Sequence, residues 1–154
     1  MIESASSLPI ELPTGFLVSR INQYLIGFDI NQMVEIINPV GEDSKSLLVE
    51  EDKSVLKYRE EFFSLIDLYK IFGCEKPSNI NSIRILVINH CKNMFAFYVD
   101  KIIEAITINQ SVDDQLIVSD SNLPSFSCGL IKNENEEILI LDFDKIIKEA
   151  FSKS

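Results

Sequence analysis

Histidine and cysteine, two residue types able to bind metal or act in catalysis, are adjacent at one point of this sequence. The single histidine, His90, precedes Cys91 in the polar stretch NHCKN. A cysteine becomes a nucleophile when a base accepts its proton, but side chains adjacent in sequence are seldom oriented for that transfer. A zinc site needs three or four ligands, and Cys74, Cys91 and Cys128 follow no CxxC spacing. The spacing therefore predicts neither a nucleophile nor a metal motif.

Carboxylates and glycines offer two further kinds of chemistry. Asp142 and Asp144, in the stretch DFD, could hold a divalent ion, but they coincide with a predicted helix start, where carboxylates favour the helix dipole. The five glycines are scattered and form no phosphate-binding loop. We therefore expect no catalytic residue, cofactor or metal. A small hydrolase or metal enzyme using His90, Cys91 and the DFD carboxylates is the least favoured alternative.

Composition and charge indicate one globular domain with an acidic surface. The chain has 154 residues, of which 46% are hydrophobic and 25% charged, as is ordinary for a globular protein. A net charge of −10 disfavours nucleic acid and anionic lipid as partners. No apolar run approaches the ~18 residues of a membrane helix, so we expect a cytoplasmic protein without membrane insertion. We expect a flexible N-terminal tail at residues 1–13 and a single domain over residues 14–154.

The chain repeats itself. Residues 16–37, moved forward by 69 positions, fall on residues 85–106 without a gap, and Glu35 then meets Glu104. Residues 62–72 match residues 137–147 with an offset of 75. Because the same order of segments recurs, the sequence predicts an internal duplication.

Each copy is predicted to contain short strands followed by a short helix. Runs rich in Ile, Val and Phe, bounded by polar turns, are typical of strands. Asp67 and Asp142 precede the two predicted helices and can cap their first N–H groups. Many short strands with short helices favour small barrels or a sandwich over a parallel sheet.

Two sets of acidic residues could belong to a recognition surface. Glu35 and Glu104 lie at equivalent places among aliphatic residues, where a strand would point them outward whether or not they bind a partner. The run Glu50-Glu51-Asp52, with Glu42 and Asp43 upstream, is either a solvated loop or a docking surface for a basic partner.

Four segments in this order resemble the CheW-like coupling proteins of bacterial chemotaxis, over residues 16–150. The family patterns are V-x-E-(V/I), N-L-R-G followed by D-L, G-L-x-V-D-x-V-x-x-V, and L-D-x-x-K-L-L. The corresponding segments here are YLIGFDINQMVEII, KYREEFFSLIDLYKIFG, AFYVDKIIEAI and CGLIKNENEEILILDFDKII. The resemblance implies a mainly β fold of two intertwined SH3-like five-stranded β-barrels, with short helices and a C-terminal helix.

The resemblance also implies a non-catalytic adaptor. Such a protein links the cytoplasmic tips of chemoreceptors to the regulatory domain of a CheA-type histidine kinase, in the cytoplasm at membrane-associated receptor arrays. A scaffold of another two-component system, such as one for surface motility, is the alternative within the same fold.

The resemblance implies that five residues bind partners, and these lie within or next to three of the four segments. They are Met33, Glu35, Ser54, Arg59 and Ile102. Arg59 is the one residue of N-L-R-G retained in Lys57-Tyr58-Arg59-Glu60, and Ser54 stands where the family has a glycine. Because glycine is the usual residue where a turn needs positive φ, we expect its loss to change the path of this loop.

Overall fold

The computed structural model describes residues 15–79, 82–107, 116–117, 124–133 and 136–151. The strands among these residues are β1 (Gly15–Ile21), β2 (Tyr24–Asp29), β3 (Met33–Ile37), β4 (Leu47–Glu50), β5 (Val55–Tyr58), β6 (Glu61–Ile66), β7 (Arg84–His90), β8 (Asn93–Val99), β9 (Lys101–Thr107), β10 (Leu116–Ile117), β11 (Ser127–Asn133) and β12 (Glu136–Leu141). The α-helices are α1 (Leu68–Phe72) and α2 (Phe143–Phe151). The predicted tail, residues 1–13, lies outside the described residues. Within the described ranges, no helix has the length and apolar character needed to cross a membrane.

The strands form two six-stranded sheets that take strands from both copies. The first sheet has the order β10-β11-β12-β2-β1-β9, and the second has the order β4-β5-β6-β8-β7-β3. Strands β1 to β6 belong to the first copy and β7 to β12 to the second. Each sheet therefore contains two strands of one copy and four of the other. The mainly β, intertwined architecture with a C-terminal helix is confirmed; each sheet has six strands among the described residues, whereas the resemblance implied barrels of five.

The folded chain also confirms the duplication. Strands β1 and β7 begin 69 positions apart, at Gly15 and Arg84, and β6 and β12 begin 75 positions apart, at Glu61 and Glu136. The equivalent pairings β12–β2 and β6–β8 are both parallel. The two offsets found in the sequence are therefore the offsets between equivalent strands.

Both copies also have a β-bulge at the same place. The pairings β1–β9 and β3–β7 each shift register by one residue. The skipped residues are Val34 in β3 and Ile103 in β9, which are 69 positions apart and are 50% and 40% exposed. A bulge leaves its extra residue unpaired and re-aims the strand, so each copy presents an apolar side chain to solvent.

Buried hydrophobic residues form two clusters, and the larger one joins the two copies. Phe28 in β2 and its equivalent Phe97 in β8 are buried with ring centroids 5.7 Å apart, and Phe143 of α2 packs against both at 5.8 and 5.4 Å. Burying an aromatic side chain of this size contributes about 1.5–3 kcal/mol. Because these rings come from both sheets and the C-terminal helix, their packing joins the two halves of the chain.

The predicted helix caps are confirmed. The Asp67 carboxylate accepts a hydrogen bond from the Lys70 backbone N–H at 3.1 Å. Asp142 does the same for the backbone N–H groups of Asp144 and Lys145, at 3.0 and 3.3 Å. These caps satisfy N–H groups that have no partner within the helix.

Candidate partner-binding surface

Two of the predicted partner-binding residues meet where the second sheet curls on itself. Arg59 lies in the turn between β5 and β6, and its Nη1 is 3.6 Å from Oε2 of Glu35 on β3. Three strands separate β3 from β5 in the order of the sheet. Contact between them therefore requires the sheet to curve until its edges approach.

Asp43 is a third member of this group. Its Oδ1 lies 3.8 Å from Nη2 of Arg59 and accepts a hydrogen bond from the Tyr58 hydroxyl at 2.9 Å. Its Oδ2 accepts one from the Asn38 backbone N–H at 3.2 Å. Burial and the hydrogen bond to Asp43 raise the pKa of Tyr58. The sequence held no signal that separated Asp43 from its acidic neighbours, because its partners lie in distant segments.

Arg59 is held in place yet remains available to a partner. Its backbone N–H donates to the Ser46 carbonyl at 3.2 Å, and its guanidinium lies 4.7 Å from the centre of the Tyr58 ring. The side chain is nevertheless 63% exposed. Ion pairs between exposed groups contribute about 0–1 kcal/mol to stability. The guanidinium thus stabilises the fold little, while its planar donors suit a carboxylate on a partner.

The loop that lost the family's glycines keeps the backbone conformation that glycine favours. Ser54 has φ 54° and Glu60, at the place of the glycine in N-L-R-G, has φ 70°. The change in loop path that the loss of glycine predicted is therefore not found at Ser54 or Glu60. Side chains in the left-handed region cost roughly 1–2 kcal/mol each, so the turn that carries Arg59 is a strained one.

Met33 and Ile102 do not join Arg59 at the surface. They occupy equivalent positions, 69 apart, and both pack half-buried against the core. The exposed apolar residues of β3 are Val34 and Ile36, at 50% and 46%. Strand alternation points them away from Met33. The sequence analysis missed them, although the alternation of Met33 to Ile37 could have identified them.

Ser54 lies on a separate feature, a cleft of about 420 Å³ beside the end of α2. Lys76 crosses this cleft, with Nζ 2.8 Å from Oε1 of Glu51 and 3.7 Å from Oδ2 of Asp67. Tyr98 also lines it, and burial raises the pKa of Tyr98 to about 12. Glu51 of the acidic run is therefore paired with Lys76 while its side chain stays 59% exposed.

His90, Cys91 and Asp144 come together although their spacing formed no motif. Their ligating atoms all lie within 4.8 Å of one another. Nε2 of His90 is 2.8 Å from Oδ1 of Asp144, and Nδ1 is 3.0 Å from the Gln32 amide nitrogen. The two ring nitrogens of His90 therefore have Asp144 and Gln32 as hydrogen-bond partners rather than Cys91, whose proton one of them would have to accept. The arrangement disfavours the hydrolase alternative, which needs that transfer.

Two intertwined, duplicated β-sheets define the class of fold, and comparisons with known proteins give the family. Residues 15–151 match the family model of the CheW-like domain, and the chain belongs to that family as a divergent member. It is 27% identical to the chemotaxis protein CheW of Helicobacter pylori over 137 residues, which are 89% of this chain and 81% of that protein.

A solved structure shares the fold. The crystal structure of the scaffolding protein TtCheW from Thermoanaerobacter tengcongensis matches with a TM-score of 0.64 and 21% identity. The match covers 85% of this chain and 90% of that chain.

Proposed function

We propose that this chain is a non-catalytic adaptor that couples chemoreceptors to a CheA-type histidine kinase, at membrane-associated receptor arrays of bacterial chemotaxis. Its membership of the CheW-like domain family supports an adaptor role. The relatives named above are a chemotaxis protein and a scaffolding protein. The single observation that carries the proposal is the exposed guanidinium of Arg59, held between Glu35 and Asp43.

The regulatory domain of the kinase binds the surface around Arg59. An interface needs apolar side chains that lose water and a polar rim that sets orientation. Strand β3 is an edge strand of the second sheet, so a partner that binds this edge reaches the exposed apolar residues Val34 and Ile36 on one face and the charged pair of Glu35 with Arg59 on the other. Arginine is among the residues that most often dominate binding energy. In this proposal Met33 supports the binding surface without contacting the partner, because it packs against the core beneath β3, the strand that carries the exposed residues.

Receptor tips bind at the cleft that contains Ser54. The cleft combines charged residues with apolar ones, among them Ile71 and Phe151, and Phe151 is 48% exposed. An amphipathic helix docks by placing its apolar face in such a groove. Ile102 is the equivalent of Met33 in the second copy. In this proposal it has the same supporting role, since it packs beneath the bulge residue Ile103 of that copy.

Capture with purified partners tests this assignment. The chain is mixed with the regulatory domain of a CheA-type kinase, with and without receptor-tip fragments. We expect a binary complex with each partner and a ternary complex with both. Arg59→Ala is expected to abolish kinase capture and to leave receptor-tip capture intact. Kinase capture without any receptor-tip capture would favour a scaffold of another two-component system, and capture of neither partner would refute the proposal.

A further inference from the structure

Three side chains that could bind a metal ion, from two parts of the fold, converge at the end of β7. His90 ends β7, Cys91 begins the β7–β8 turn, and Asp144 lies in the first turn of α2. Their imidazole, thiol and carboxylate ligand atoms all lie within 4.8 Å of one another. Chain topology alone brings Asp144, which is 54 positions from His90, into this group.

The His90 ring is held in an orientation suited to a ligand. Its side chain is only 15% exposed, and its ring packs against Phe143 with centroids 5.8 Å apart. Nδ1 lies 3.0 Å from the Gln32 side-chain amide. When the Gln32 amide rotates by half a turn, its nitrogen and oxygen exchange places. With the oxygen facing the ring, Nδ1–H donates to it, and the lone pair of Nε2 then points toward Asp144. Metal-bound histidines ordinarily have such a second partner.

We propose that His90, Cys91 and Asp144 bind one Zn²⁺ ion, with water in the fourth position. Zinc accepts imidazole, thiolate and carboxylate ligands in tetrahedral geometry. The thiolate and the carboxylate together balance its two positive charges. The mixture of nitrogen, sulfur and oxygen donors disfavours Mg²⁺ and Ca²⁺, which take oxygen ligands.

Small side-chain movements complete the geometry. Tetrahedral zinc would separate Nε2 and the carboxylate oxygen by about 3.3 Å. Nε2 of His90 and Oδ1 of Asp144, now 2.8 Å apart, need only separate slightly. The Cys91 sulfur, which lies within 4.8 Å of both, must move closer to the ion. Asp144 is 78% exposed and Cys91 is exposed, so both can rotate without disturbing the core.

The bound ion would join the two sheets. Strand β7 belongs to the second sheet, whereas α2 follows β12 of the first sheet. An ion that binds only the folded chain stabilises it in proportion to its occupancy.

Competition between the protein and a chromophoric zinc chelator tests the proposal. The chain is used without a histidine tag and with its thiols reduced. Wild type is expected to bind one zinc per chain, to melt at a higher temperature with zinc, and to show a thiolate-to-metal charge-transfer band with Co²⁺. Cys91→Ser and Asp144→Asn are expected to lose all three properties. Gln32→Ala should weaken binding about 10-fold, as removal of second-shell partners does.

Cys128→Ser is the matched control, because it removes another exposed thiol and leaves the cluster intact. It is expected to bind zinc like wild type. Circular dichroism of each variant without metal establishes that it is folded. Absence of one-to-one binding in wild type, or binding by Cys91→Ser equal to that of Cys128→Ser, would overturn the proposal.

Discussion

Nη1 of Arg59 lies 3.6 Å from Oε2 of Glu35, although three strands separate their positions in the second sheet. The contact exists because the sheet curls, and Asp43 reinforces it from the loop after β3. All three groups retain some exposure, so the pair adds little to the free energy of unfolding. A cation fixed in this way loses less side-chain entropy when it binds a partner than a free one would.

The turn that carries Arg59 should become more stable when Glu60 is replaced by glycine. Glu60 has φ 70°, where a side chain costs about 1–2 kcal/mol that glycine avoids. Glycine also lowers the free energy of unfolding by about 0.5–1 kcal/mol, because it increases the conformational entropy of the unfolded chain. We expect Glu60→Gly to raise the free energy of unfolding by about 0.5–1 kcal/mol, measured by urea denaturation.

Glu61 provides the control for this substitution. It is exposed like Glu60 but begins β6, where glycine weakens a strand. Glu61→Gly should therefore destabilise the chain. A Glu60→Gly variant that is destabilised as much as Glu61→Gly would show that the turn is not strained.

Alkaline pH should destabilise the chain through Tyr98. Burial raises its pKa to about 12, above the value of about 10 in an unfolded chain. The neutral hydroxyl is thus favoured in the folded state, and its contribution to stability is complete below about pH 10. That contribution is lost as the pH rises through about 12. Tyr98→Phe should make the decline in unfolding free energy between about pH 10 and about pH 12 shallower; parallel curves for wild type and variant would contradict this.

The acidic run should act on the rate of partner capture more than on the strength of the complex. Exposed charges steer association, and salt screens them over about 10 Å at 0.1 M. Neutralising Glu51 and Asp52 together changes the net charge from −10 to −8. We expect slower association with receptor-tip fragments at low salt and little difference at high salt, measured by stopped flow.

The same charge change elsewhere controls for net charge. Glu136 and Glu137 are exposed on β12, and neutralising both also gives −8. If this pair slows association as much as the acidic run does, the effect comes from overall charge. Equal slowing by the acidic run at low and high salt would mean that Glu51 and Asp52 pack directly in the interface.

The fold could be predicted from the sequence wherever a strand carries a hydrophobic pattern within its own few residues. Apolar runs bounded by polar turns identified β1, β2, β7 and β8, whose central residues are buried on both sides. Strands β4 and β5 show no such run, because Glu50 to Lys53 interrupt them and Leu48 on the edge strand is 56% exposed. Short edge strands bury little and have a weak hydrophobic pattern.

The site was less predictable than the fold, because it depends on contacts between distant segments. Resemblance to a family placed Arg59 and Glu35 on one surface, and the curl of the second sheet brings them together. The place of Asp43 beside Arg59 depends on the pairing of β4 with β5, and the convergence of Asp144 on His90 depends on the swap of strands between copies. Neither has a periodicity that a local reading of the sequence could detect.

Isothermal titration of the kinase regulatory domain into wild type and Arg59→Ala tests the adaptor surface most directly. Lys145→Ala, which removes a cation that is 55% exposed on α2, is the control. We expect Arg59→Ala to weaken binding by about 30-fold or more, or about 2 kcal/mol. Its melting temperature should stay within about 4 °C of wild type, and Lys145→Ala should bind like wild type. A folded Arg59→Ala variant that binds the kinase as tightly as wild type would contradict the assignment of this surface.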